Sequence, residues 1–141
     1  MEFAPFWASA VGLAIGAGMG LYGLISPHWS ARLVRLREEE GRPGGFAEFR
    51  STYGGLFLAS HGFALVFMVS TAREVEALAG LPTHFTALGA AGACGLMWLG
   101  SALGRSVAIA MDGAGTRYNQ ASVVFEIVLG GLILAPWLLR P

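Results

Sequence analysis

The chain has no lysine and a single cysteine, Cys94, and only 13% of its residues are charged. One cysteine excludes an intramolecular disulfide, a Cys-x-x-Cys redox pair and a thiolate metal cage. Nine arginines balance nine acidic residues for a formal net charge of zero, which argues against a nucleic-acid partner or a strongly charged substrate. Enzyme signatures are also missing: there is no His-Glu-x-x-His, no P-loop, no dinucleotide-binding glycine fingerprint and no nearby Ser, His and Asp set. The sequence therefore points away from an enzyme and predicts no metal site. Arginine without lysine fits the codon usage of a GC-rich bacterial genome.

What the chain has in abundance is apolar length. Hydrophobic residues make up 55% of it and the mean hydropathy is +0.60, far from a soluble domain. Four apolar stretches, about residues 3–26, 51–70, 82–104 and 118–139, approach or exceed the ~20 residues that a helix rising ~1.5 Å per residue needs to cross ~30 Å of hydrocarbon. The third has no strong breaker before Asp112-Gly113, so it has room to continue to Met111. The expected fold is all-α: a four-transmembrane-helix bundle, residues 1–141 forming one integral membrane domain. The first stretch lacks a basic leader, and its run from Phe6 to Ile25 exceeds a signal-peptide core, so a true span is expected.

Arginine placement orients the bundle. The first loop holds Arg32, Arg35, Arg37, Arg42 and Arg50, and the last holds Arg117 with Arg105 at its edge. The second loop has only Arg73, beside Glu74 and Glu76. By the positive-inside rule the first and last loops are cytoplasmic, and both termini lie on the periplasmic side of a bacterial inner membrane. Between spans one and two, Trp29 to Glu40 places Trp29, Leu33 and Leu36 on one face, which predicts a short amphipathic helix at the interface, ended by the Gly41 to Gly45 breaker. The acidic run Glu38 to Glu40 reads as a solvated helix end. Gly12, Gly16 and Gly20 in span one, and Gly100 and Gly104 in span three, are small-residue positions expected to pack helices, within the chain or in a homodimer or larger membrane complex.

The few polar residues inside the spans carry the functional evidence. Arg105 and Glu126 both fall ~10 Å below the cytoplasmic helix ends at 1.5 Å per residue, in neighbouring antiparallel helices. A lone carboxylate in hydrocarbon is costly, so an Arg105–Glu126 ion pair is expected. Arg50 and Tyr53, three apart on one face, and Asn119 could complete a small polar chamber with a positive surplus, suited to a lipid headgroup, a quinone carbonyl or a small organic anion. Alternatively, the same residues only lock the helices together. Asp112-Gly113 reads as a tight turn, with Asp112 capping or pairing with Arg117.

Arg50-x-x-Tyr53-Gly54-Gly55, Gly104-Arg105, Asp112-Gly113 and Glu126, in that order over residues 6–139, resemble an uncharacterised family of small four-helix bacterial inner-membrane proteins, distantly similar to the DoxX-like group. The resemblance implies a four-helix membrane fold with no assigned activity, and Arg50, Tyr53, Gly54, Gly55, Arg105, Asp112, Gly113 and Glu126 as a shared polar core. The sequence departs from that pattern at Ser60-His61. An imidazole at mid-span could ligate a haem or a chlorophyll magnesium, or relay protons, but His84 and His28 belong to the two membrane ends, so bis-His ligation is disfavoured. The plainer expectation is a neutral His61 hydrogen-bonded to a neighbouring helix through Ser60 or Ser101, and no cofactor is predicted. Two readings follow: a structural or accessory membrane subunit, or a protein binding or transporting a lipid, quinone or small organic anion.

Overall fold

The computed structural model describes residues 3–37 and 44–139. The expected acidic run at Glu38 to Glu40 and the Arg42-Pro43 turn lie outside the described residues. The chain is mostly helical: α1 (Ala4–Ile25), α2 (Pro27–Val34), α3 (Gly45–Glu48), a π-helical segment (Phe49–Leu56), α4 (Phe57–Ala72), α5 (Thr83–Met111), α6 (Arg117–Ile133) and α7 (Ala135–Leu138). The α3, π and α4 segments run on as one helix, Gly45–Ala72. Three helices are long and apolar enough to cross a membrane: Ala4–Ile25, Gly45–Ala72 and Thr83–Met111. The last continues to Met111, as the lack of an earlier breaker allows.

The fourth apolar stretch behaves differently. It forms the 17-residue α6, breaks at Leu134 and resumes as the single turn α7. Pro136 has no N–H to donate to Leu132, and its ring would crowd that carbonyl, so a straight helix through 139 is not available. The break has a use: Ser9 Oγ in α1 donates to the Ile133 carbonyl at 2.7 Å, tying the start of α1 to the end of α6.

Helix α1 packs against α4 and α6, α4 against α5, and α5 against α6, which closes a ring of four helices with sequence neighbours antiparallel. Leu13, Met68, Ile133 and Ala91 are fully buried inside it, while Val11, Leu96, Leu103 and Val124 are exposed on its outside. Helices apolar on both faces suit lipid rather than water as the surrounding solvent. The glycines of α1 face inward. A Cβ on Gly12 would lie 2.7 Å from Ile133 Cγ1, and one on Gly16 2.7 Å from His61 Nε2, while Gly20 lies against the Leu58 backbone. Gly100 and Gly104 do not meet the expectation of packing within the chain: a Cβ on either would find no atom within 4 Å. In α5 the close approach is made instead by Gly95, against Leu134 and the Gly130 carbonyl. The reason is rotational, since 95 faces α6 and 100 and 104 point outward.

Helix α2 is shorter than the expected Trp29 to Glu40. It ends at Val34 because Arg35 turns left-handed (φ 60°), with Arg35 N–H donating to the Arg32 carbonyl and Leu36 N–H to the Ala31 carbonyl. This is a Schellman stop with arginine where glycine is usual, so the sequence offers no stop signal there. At the other end, β1 (Ala77–Leu78) and β2 (Leu81–Pro82) form an antiparallel hairpin around Ala79 and Gly80, both at positive φ as a type I′ turn requires.

Candidate functional site

Where α1 and α5 end and the Gly45–Ala72 helix and α6 begin, the ring encloses a cavity of about 150 Å³, covered by α2. Its polar end is built from α5 and α6. Arg105 donates from Nε to both Glu126 carboxylate oxygens at 3.2 Å and from Nη2 to Oε1 at 2.7 Å, and Ser101 Oγ donates to Oε1 at 2.9 Å. Glu126 is 4% exposed, so its charge is matched by a fork of donors rather than by water. The expected Arg105–Glu126 pair is present, and matched depth along antiparallel helices is why the sequence could locate it.

The rest of the wall is apolar and aromatic. Phe57 meets Trp98 edge to face, with ring centroids 5.6 Å apart, and Trp98 meets Phe125 likewise at 5.8 Å. Met19 from α1 and Leu33 and Val34 from α2 complete it. Helix α2 is held in place from α6: the Tyr118 hydroxyl donates to the Leu33 carbonyl, and the Arg35 guanidinium lies 4.0 Å over the Tyr118 ring. Trp29 packs on Tyr22 at 4.9 Å.

Arg50 does not join this chamber. Its Nη1 donates to the Leu24 carbonyl and, at 3.4 Å, to that of Ile25. These are carbonyls of the last turn of α1, which have no partner within their own helix and carry the negative end of its dipole. The π segment explains the divergence from Tyr53, which does line the cavity. Hydrogen bonds of the i to i+5 kind put more residues in each turn, so positions three apart face further from one another than in an α-helix. Gly54 permits the contact between the two helices, since a Cβ there would lie 2.7 Å from Leu24 Cα. Gly55 makes only an ordinary contact.

A family described as a domain of unknown function, DUF4345, matches residues 6–137. The chain belongs to the DUF4345 family. No curated protein matches it. No solved structure matches it either.

Within this DUF4345 chain, His61 lies directly behind the chamber wall and is fully buried. Its Nε2 accepts from Trp98 Nε1–H at 3.0 Å and its Nδ1 donates to the Phe57 carbonyl at 3.0 Å, the arrangement of a neutral ring protonated at Nδ1. Its ring is stacked on Phe57, with Ser60 Oγ 3.2 Å from Nδ1, and Gly16 leaves the room it occupies. The partner across the helix interface is Trp98, rather than the expected Ser101. With the Nε2 lone pair already directed at an N–H, the ring as held does not offer it to a haem or chlorophyll metal.

Asn119 does not line the chamber either. Its Nδ2 donates to the Ala114 carbonyl at 2.7 Å and its N–H to the Thr116 hydroxyl, so it builds the start of α6. Asp112 takes the C-cap position of α5 and Gly113 follows at φ 66°, as a turn there demands. The chamber thus unites Tyr53, Arg105 and Glu126 from the sequence reading with residues it did not assign: Ser30, Trp98, Tyr118, Ser122 and Phe125. A signal for some was available, because Trp98, Ser101 and Arg105 recur at i, i+3 and i+7 on one face of α5.

Proposed function

We propose that this protein is a multi-pass bacterial cytoplasmic-membrane protein, with four spans and both termini periplasmic, that binds a small lipophilic molecule in the chamber at its cytoplasmic-leaflet end. The observation that carries the reading is the chamber itself: an aromatic-walled cavity ending in an ion pair whose carboxylate is buried and whose guanidinium is half-buried, the combination of apolar surface and few fixed polar groups typical of ligand sites. Arg105 is matched by Glu126, and Arg50 is engaged on the end of α1. The positive surplus expected from the sequence is therefore not in the chamber, which favours a neutral amphiphile of the lipid or quinone kind over an organic anion.

A second reading, an accessory subunit of a larger membrane complex, is supported by one observation. Gly100 and Gly104 present bare backbone on the outer face of α5, where another helix could approach closely. Native mass spectrometry of the protein gently extracted from its own membrane separates the two. A stoichiometric small adduct, lost when Ser122→Leu fills the chamber, is expected for the binding protein. Reproducible larger partners without an adduct would overturn that reading in favour of the subunit.

A further inference from the structure

Resting on the binding reading above, we infer that the buried end of the chamber's ligand is a neutral ring bearing a hydroxyl, which donates to Glu126 Oε2 and accepts from the Tyr53 hydroxyl. The two oxygens of the Glu126 carboxylate are unequally satisfied. Oε1 accepts from Arg105 Nη2 at 2.7 Å, from Ser101 Oγ at 2.9 Å and from Arg105 Nε at 3.2 Å. Among the described residues Oε2 accepts only from that same Nε–H, at 3.2 Å and shared with Oε1. A carboxylate has about four acceptor sites. Glu126 lines the cavity and is only 4% exposed, so a donor for Oε2 has to come from within the chamber. Leaving such a group under-satisfied destabilises the fold, and a ligand O–H would offset that cost.

The neighbouring hydroxyls do not fill this role. Ser101, Ser122 and Tyr118 already donate to Glu126 Oε1 and to the carbonyls of Tyr118 and Leu33. Two donors among the lining residues, Trp29 and Tyr53, have no hydrogen bond among the described residues. The Trp29 ring lies on Tyr22, itself exposed on the outside of α1, which puts it at the rim. Tyr53 instead stacks on buried Phe49, with ring centroids 5.8 Å apart, and its hydroxyl is the donor left for a ligand oxygen. One atom answers both needs only if it donates and accepts, as a hydroxyl does. A ketone or ether would set its lone pairs against Oε2. Charged ligands are disfavoured too: an anion would compete with Glu126 for Arg105, and a cation would bring net charge into a site already neutral. The walls favour a ring, since Phe57, Trp98 and Phe125 offer faces and edges, and a cavity near 150 Å³ is the size that holds benzene in an engineered apolar core.

Fluorine NMR on protein in nanodiscs tests this with three probes: 4-fluorophenol, 4-fluorotoluene, which puts a methyl where the phenol has its hydroxyl, and 4-fluoroanisole, whose oxygen only accepts. Empty nanodiscs subtract membrane partition. The phenol is expected to bind about tenfold or more tightly than the toluene, the worth of a hydrogen bond to a charged group. Its bound fluorine signal should move upfield, toward that of the phenolate, as the O–H donates to a carboxylate. The anisole should fall well short of the phenol. Glu126→Gln should reduce the phenol's advantage to a few-fold, and Tyr53→Phe should weaken the phenol while leaving the toluene unchanged. Equal affinity of phenol and toluene for the unmodified protein, anisole binding as tightly as phenol, or a phenol preference untouched by Glu126→Gln overturns the hydroxyl inference and leaves the chamber as a binding site. Protein-dependent signals for none of the probes, or signals that survive Ser122→Leu, overturn the chamber reading together with it.

Discussion

Replacing Arg105 by glutamine tests the one ion pair on which the chamber depends, and burial sets an asymmetry that the experiment can read. Glu126 is 5% exposed at its side chain and Arg105 31%. Loss of Arg105 strands a carboxylate that keeps only the Ser101 hydroxyl, so Arg105→Gln should cost about 3 kcal/mol, the low end for breaking a buried pair. Loss of Glu126 leaves a guanidinium on a flexible stem that can turn toward the membrane surface, so Glu126→Gln should cost only about 1–2 kcal/mol. The double substitution leaves two neutral amides able to bond one another, and should cost about 2 kcal/mol, well below the sum, for a coupling of about 2–3 kcal/mol. Reversible unfolding in mixed micelles, titrating denaturing detergent, measures all three. Additivity within about 0.5 kcal/mol would refute the direct pairing. A larger loss for Glu126→Gln than for Arg105→Gln would refute the burial argument.

The same assay distinguishes inward from outward glycines. Gly16→Ala drives a methyl into the His61 ring and should cost about 1–3 kcal/mol, whereas Gly100→Ala meets nothing within 4 Å and should stay within about 0.5 kcal/mol of the parent. A costly Gly100→Ala in the purified monomer would show that the outer face of α5 is not free. Trp98→Phe removes the donor to His61 Nε2 and leaves a buried acceptor unmet, for a loss of about 1–3 kcal/mol by thermal unfolding; an unchanged stability would mean that this bond contributes nothing. In a Cys94→Ala background, a cysteine placed at Arg37 should label only from the cytoplasmic side and one at Gly80 only from the periplasmic side. Labelling of both from one side would sink the proposed topology.

Much of the fold was legible because it depends on local properties. Apolar run length and helical rise placed α1, the Gly45–Ala72 helix and α5, and the same rise put Arg105 and Glu126 at one depth, where an unpaired charge is costly enough to make the pairing predictable. The inward stripe of Gly12, Gly16 and Gly20 was equally readable as a close-packing face. The extent of the last helix needed Pro136 to be weighed against the hydropathy around it, and the end of α2 at Arg35 carries no conventional stop residue.

What the sequence could not state is how each helix is rotated about its own axis, because rotation is set by which neighbours pack against it. That rotation decides that Gly95 rather than Gly100 meets α6, and that Trp98 rather than Ser101 meets His61. The π winding at Phe49–Leu56 is a tertiary outcome of the same kind, and it sends Arg50 to the end of α1 and Tyr53 to the chamber, although the two are only three residues apart. Depth in the membrane is a one-dimensional property that residue order and solvent determine by themselves. The partners at a given depth are decided only when the four helices close around one another and α2 covers their end.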